Sequence, residues 1–125
     1  MDNLRRAAAI LAARERPGDA ILYLPSGRRI LSAAYPAPYS RLRDIALRRS
    51  PVAAGNLAGT EVGSATLRRR AAGARRIWLI TLASGRRLPA GGTRTDREKV
   101  ALVRQMRLAG LWHAGAVRLR LYVRP

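Results

Sequence analysis

Without cysteine, any chemistry in this chain must come from carboxylates, imidazole, hydroxyls and cations. The supply is lopsided: seven Asp and Glu and one His stand against 25 Lys and Arg. The lack of Cys excludes disulfides, thiolate metal sites, iron–sulfur clusters and thiol nucleophiles. His113, the only imidazole, sits between Trp112 and Ala114 and reads as an exposed turn residue, since one His without nearby acids cannot hold a metal. The acids Asp2, Glu15, Asp19, Asp44, Glu61, Asp96 and Glu98 are scattered along the sequence. Asp2 suits a helix cap and Asp19 a turn. Asp96 and Glu98 suit a first helical turn, where the free amides favour negative charge. Asp44 and Glu61 lack such a local reason, and an ion pair with an arginine accounts for each better than acid–base catalysis does. No catalytic residue, metal site or cofactor is assigned.

Anion binding is the remaining chemistry. Neither GxGxxG nor GxxxxGK occurs, and Gly91-Gly92 lacks the spacing of either motif. Ser26, Gly27, Arg28 and Arg29 leave an apolar run and enter a helical stretch, the place where open α/β sheets bind ligands. They form the candidate ligand loop, although a plain turn and helix cap is the simpler reading of the same residues. The arginine clusters 68–70, 75–76 and 86–87 read as a solvated helix face and solvated loops. Arg118, Arg120 and Arg124 alternate along a C-terminal strand and are the candidate contact for an anionic surface.

The elements that carry these residues are marked by periodicity and breakers. Leu4, Ala7, Ala8 and Leu11 recur at helical spacing over residues 2–16, and Pro17-Gly18-Asp19 ends that helix. Residues 20–24 are apolar without alternation, as a strand covered on both faces would be. A helix is expected over 28–34, an uncertain strand near 42–47, a long loop over 51–61 and a helix over 64–72. Residues 76–82 form the strongest strand, followed by a loop over 83–94. Thr95 and Glu98 have the spacing of a capping box for a helix reaching about residue 107. Residues 108–113 and 117–123 pair as a hairpin through Ala114-Gly115. In its second strand Val117, Leu119, Leu121 and Val123 face inward, while Arg118, Arg120, Tyr122 and Arg124 face water.

This order predicts one α/β domain over residues 1–125. It would be a small three-layer sandwich with a mainly parallel central sheet and the C-terminal antiparallel hairpin at its edge. Residues 21–24 and 77–82 are expected to be adjacent and parallel, flanked by the strand near 44–47. Strongly apolar Leu, Ile and Val number 17, 6 and 6, enough for a core in a chain with no Phe. The longest apolar run, residues 77–83, is far below the ~20 residues of a membrane helix. Met1-Asp2-Asn3 lacks the basic start of a signal peptide.

The net charge of +18 attracts phosphate polymers and anionic lipid at low salt. Of the 25 cations, 24 are Arg and one is Lys, alongside 23 Ala, so GC-rich codon usage explains part of the excess. As a purpose, nucleic-acid binding needs stacking aromatics. Only Tyr122 interleaves with arginines on the expected wet face.

The run Arg16-Pro17-Gly18-Asp19-Ala20-Ile21-Leu22-Tyr23-Leu24-Pro25 carries a wider likeness, together with Tyr35-Pro36, Arg43-Asp44-Ile45-Ala46-Leu47 and Ser50-Pro51. Leu57-Ala58-Gly59-Thr60-Glu61, Arg75-Arg76-Ile77-Trp78-Leu79, Glu98-Lys99 and Val117-Arg118-Leu119-Arg120-Leu121-Tyr122 continue it. Over nearly its whole length the chain resembles the C-terminal module of integral-membrane glycosyltransferases of high-GC bacteria, similar to polyprenol-phosphate-mannose-dependent mannosyltransferases of the GT-C type. The residues at 83–94 are more basic and poorer in aromatics than that likeness leads one to expect.

In such enzymes the catalytic acid lies near the first membrane helices, outside this chain, so no catalytic position is carried over. The resemblance implies a non-catalytic domain on the extracytoplasmic face of the membrane. Its partner would be the membrane part of the enzyme, and it would assist acceptor binding, with anionic lipid or glycan as further contacts. Two alternatives stand beside it. One is a free-standing basic nucleic-acid-binding protein of the cytoplasm, with non-specific affinity. The other is a small-ligand domain using the loop after the first strand.

Overall fold

The computed structural model describes residues 3–56, 59–82 and 92–125, with the side chains of residues 51 and 52 left aside. The expected cap Asp2, the arginines Arg86 and Arg87, Gly91 and the Leu57-Ala58 pair fall outside the described residues. The protein is mixed α/β. Helix α1 (Asn3–Arg14) is followed by strand β1 (Ala20–Leu24), a 3-10 segment (Ser26–Ser32) and the short helix α2 (Pro36–Ser40). Then come β2 (Arg43–Asp44), β3 (Leu47–Arg49), α3 (Pro51–Ala54), β4 (Thr60–Glu61) and α4 (Ser64–Ala72). Strand β5 (Arg76–Leu82), helix α5 (Arg94–Arg104) and the hairpin β6 (Arg107–Ala114) and β7 (Val117–Val123) complete it.

Five strands form one sheet in the order β2-β1-β5-β7-β6, and β3 with β4 forms a separate antiparallel pair. The two apolar runs are adjacent and parallel as expected, with Ile21 opposite Trp78 and Leu24 opposite Thr81. Strand β2 flanks β1, also parallel, but is only two residues long. The hairpin lies antiparallel at the edge. The sheet is therefore evenly mixed and not mainly parallel. Its two C-terminal strands pair by a tight turn, and only β1 joins parallel neighbours.

Core residues fall into two clusters. Ala7, Ala8 and Leu11 of α1 meet Ile21, Tyr23, Trp78, Ile80, Leu119 and Leu121. Leu67 and Ala71 of α4 and Val103 of α5 meet Leu22, Leu24, Ile77, Leu79 and Tyr122. Alternate residues of each strand serve opposite clusters, which is why β1 and β5 lack polar alternation.

Two local expectations change. Helix α5 starts two residues earlier than the Thr95–Glu98 box: the capping hydroxyl is that of Thr93, which accepts from the Asp96 amide. Thr95 instead donates to the Val62 carbonyl, fastening α5 to the segment after β4, and Glu98 pairs with Arg68. The loop expected over 51–61 holds α3 and β4. Strands this short lie below what a periodicity pattern resolves.

Candidate functional site

The acids with no local explanation, Asp44 and Glu61, meet at the C-terminal end of β1. Asp44 takes Arg29 in a fork, Nε to Oδ2 at 2.7 Å and Nη2 to Oδ1 at 3.0 Å. The same Nη2 donates to Glu61 Oε2 at 2.8 Å. Glu61 also receives Lys99, whose Nζ lies 2.8 and 2.9 Å from its two oxygens. Lys99 reaches Asp96 Oδ1 at 2.9 Å and the Tyr23 carbonyl at 2.7 Å. The result is a chain of alternating charge, Asp44, Arg29, Glu61, Lys99 and Asp96. It joins β2, the 3-10 segment, β4 and α5 to the end of β1.

Burial explains why the two cations differ in type. Lys99 is fully buried, and its tetrahedral ammonium places three protons on three separate acceptors. Arg29 is 4% exposed and meets one carboxylate with a planar fork, which suits guanidinium geometry. Burial alone would lower the basicity of Arg29. The opposing hydrogen bonds and charges of Asp44 and Glu61 more than offset this and raise it above the ordinary arginine value.

A cleft of about 230 Å³ opens beside this network, lined by Tyr23, Arg29, Ser32, Tyr39, Ser40 and Asp44 among others. The Tyr23 and Tyr39 rings stack at 6.4 Å, and the Arg29 guanidinium lies 5.2 Å from the Tyr23 ring centre. Burial pushes both phenols up, Tyr39 to about 12, and the Asp44 charge adds to the rise at Tyr23. The Tyr39 hydroxyl is buried with no hydrogen-bond partner. Ser32 donates to the Arg29 carbonyl and Ser40 to that of Ala37. Aromatic rings with hydroxyls, a carboxylate and a guanidinium at one opening suit a polyhydroxylated ligand better than an isolated anion.

The sequence-derived candidates separate. Of the loop Ser26, Gly27, Arg28 and Arg29, only Arg29 reaches the site, and two carboxylates hold it there. It is not a free grip for an anion. The wet arginine row holds at Arg124, which is exposed just past the end of β7, and needs correction at Arg120 and at its neighbour Tyr122. Arg120 is 2% exposed and Tyr122 7%, and Tyr122 packs with Leu67, Ala71 and Val103 in the core beneath α4 and α5. Arg124 donates to the carbonyls of Ala71 and Ala74, closing the end of α4. Arg118 is half-buried and bonds the Gly115 carbonyl in the hairpin turn. His113 is exposed as expected, but within β6 and not in a turn.

Asp19 does more than close a turn. Its carboxylate is 3% exposed and accepts from the Arg16 amide, the Arg76 guanidinium and the Trp78 indole. Lys99 is fully buried, and the one sequence signal that sets it apart is that it is the single lysine among 25 cations. Among the described residues, no three His, Asp or Glu converge to hold a metal ion, and no helix is long and apolar enough to cross a membrane. No protein-family model, curated protein or solved structure matches the chain.

Proposed function

We propose that the chain is a non-catalytic accessory domain of a membrane glycosyltransferase of mannosyltransferase-like type, placed outside the cytoplasmic membrane, whose cleft holds part of a glycan acceptor. The observation that carries the binding role is the stacked Tyr23–Tyr39 pair beside Asp44 and Arg29, with the Tyr39 hydroxyl buried and unpaired. Sugar hydroxyls bond carboxylates, guanidinium groups and phenols, and all three line this cleft. That catalysis belongs elsewhere is supported by the carboxylates. Glu15, Asp19, Asp44, Glu61, Asp96 and Glu98 each face an arginine or lysine within 3.2 Å, as members of structural ion pairs do. The three-layer arrangement belongs to the same proposal and is supported by helical residues in both core clusters.

The test is an NMR titration of the purified chain with soluble oligomannosides. Saturable shifts should centre on Tyr23, Ser32 and Tyr39 and vanish in Ser40→Trp, which fills the opening from an exposed rim position. Shifts that are absent, or that persist unchanged in Ser40→Trp, overturn the acceptor role. In the same preparation a lipid-phosphate-linked sugar donor should yield no transfer product. Turnover that is lost on changing Asp44 or Glu61 would reverse the non-catalytic reading.

A further inference from the structure

On the sheet face that carries Leu79 and Tyr122, two arginines stand without a carboxylate. Arg118 lies opposite Thr81 of β5 and opposite His113 of β6, so these three side chains cross the sheet in one row. Arg120 is the next residue along the same face, and its Nη1 donates to Thr81 Oγ1 at 3.0 Å. Arg120 is 2% exposed, yet its Nη2 is buried with no partner, and Nε of Arg118 is likewise buried and unpartnered. Nη1 of Arg118 is occupied by the carbonyls of Gly115 and Val117. Desolvation lowers the basicity of Arg120; the Tyr122 phenol opposes this, and the like charge of Arg118 adds to it.

A buried cation beside another cation, each with an idle donor, is costly to keep. Among the described residues every Asp and Glu has its cation elsewhere. The missing component is negative charge, and it needs several acceptor lone pairs to reach two guanidinium groups at once. A tetrahedral oxyanion supplies both. On this face the edge strand β6 exposes Leu111 and His113.

We propose that Arg118 and Arg120, with Thr81 and His113, form an oxyanion site that takes one phosphoryl group, either as free phosphate or as the headgroup of a lipid. Arg120 is the buried anchor, Arg118 the second clamp, and the His113 ring is at the mouth to donate to an outer oxygen. The site is on the opposite sheet face from the Tyr23–Tyr39 cleft, so it stands or falls independently of the glycan reading.

Inorganic phosphate and chloride are compared at equal ionic strength by thermal unfolding of the full chain, with and without Arg120→Met. Phosphate should raise the melting temperature of the parent above chloride, and Arg120→Met should abolish that difference. The same substitution should raise the melting temperature in chloride, because it removes an uncompensated buried charge while keeping side-chain volume. Arg118→Gln, at a half-buried position, gives a second reading of the phosphate effect should Arg120→Met fail to fold. An equal phosphate response in parent and variants, or none in the parent, overturns the site. Phosphatidylglycerol vesicles against neutral ones then distinguish the sources. Vesicle binding lost in Arg120→Met assigns a lipid phosphodiester, whereas a phosphate response without vesicle binding assigns the free anion. Duplex DNA retention that falls in Arg120→Met as much as the phosphate response would mark a nucleic-acid backbone contact and overturn the proposal.

Discussion

Lys99 spends all three of its ammonium protons on Tyr23, Glu61 and Asp96 inside the protein, where no water competes. Removing it leaves two carboxylates facing each other across a vacated volume. Lys99→Met should therefore cost about 3–5 kcal/mol, the usual penalty for stranding buried charges. Lys99→Arg should rescue little, since a planar fork cannot point at three acceptors arranged around a tetrahedral nitrogen. Urea unfolding of the three proteins checks both statements, and a loss under 1 kcal/mol for Lys99→Met would contradict them. That Asp44 and Glu61 would pair with cations was legible, because nothing local used them and arginine was abundant. Which cations, and that they form one network, was not. Positions 29, 44, 61, 96 and 99 converge only through the crossover from β1 and the excursion through β3 and β4.

The hairpin carries most of the element-scale information. Its alternation located β7 correctly, yet alternation reports polarity and not exposure. Arg120 and Tyr122 follow the polar phase and are nevertheless covered. The ladder between β6 and β7 shifts register between Leu108 and Gly110, and the Trp112 ring folds back over Gly110. That position lets Trp112 meet Trp78 at 5.4 Å and Arg14 of α1 at 4.7 Å. A methyl group at position 110 would occupy the ring's place. Gly110→Ala should destabilise the protein by about 1–3 kcal/mol through overpacking. It should also diminish the near-ultraviolet dichroism of the tryptophan pair. Strands β1 and β5 were legible because an apolar run without alternation can only be buried on both sides. The short elements β2, β3, β4 and α3 were not, since two to four residues carry no period.

At the scale of the molecule, charge dominates. With +18 on 125 residues, repulsion among arginines works against compactness even though the described acids are all paired. Added sodium chloride should raise the melting temperature, since screening relieves net repulsion more than it weakens the few exposed pairs. The same salt should release random DNA steeply between low and physiological strength, with no preference among competitor sequences. A sequence-selective complex that survives physiological salt would favour the free-standing nucleic-acid protein over the glycosyltransferase module. Diffuse charge is visible in composition. Its partition into an internal network, a capped helix end and a paired, uncompensated site on β7 depends on the fold.

The burial of Lys99 has a consequence for proteolysis. It is the only lysine in the chain, and its side chain is fully buried within α5. An endoprotease specific for lysine has one bond to cut, and the segment around that bond must leave its helix and its carboxylates before a protease can grip it. Cleavage therefore reports that opening. With closing fast relative to cutting, the digestion rate divided by that of an unfolded peptide of the same sequence gives the free energy of opening. Amine-directed labelling at Lys99 Nζ would report exposure of the same residue without breaking the chain.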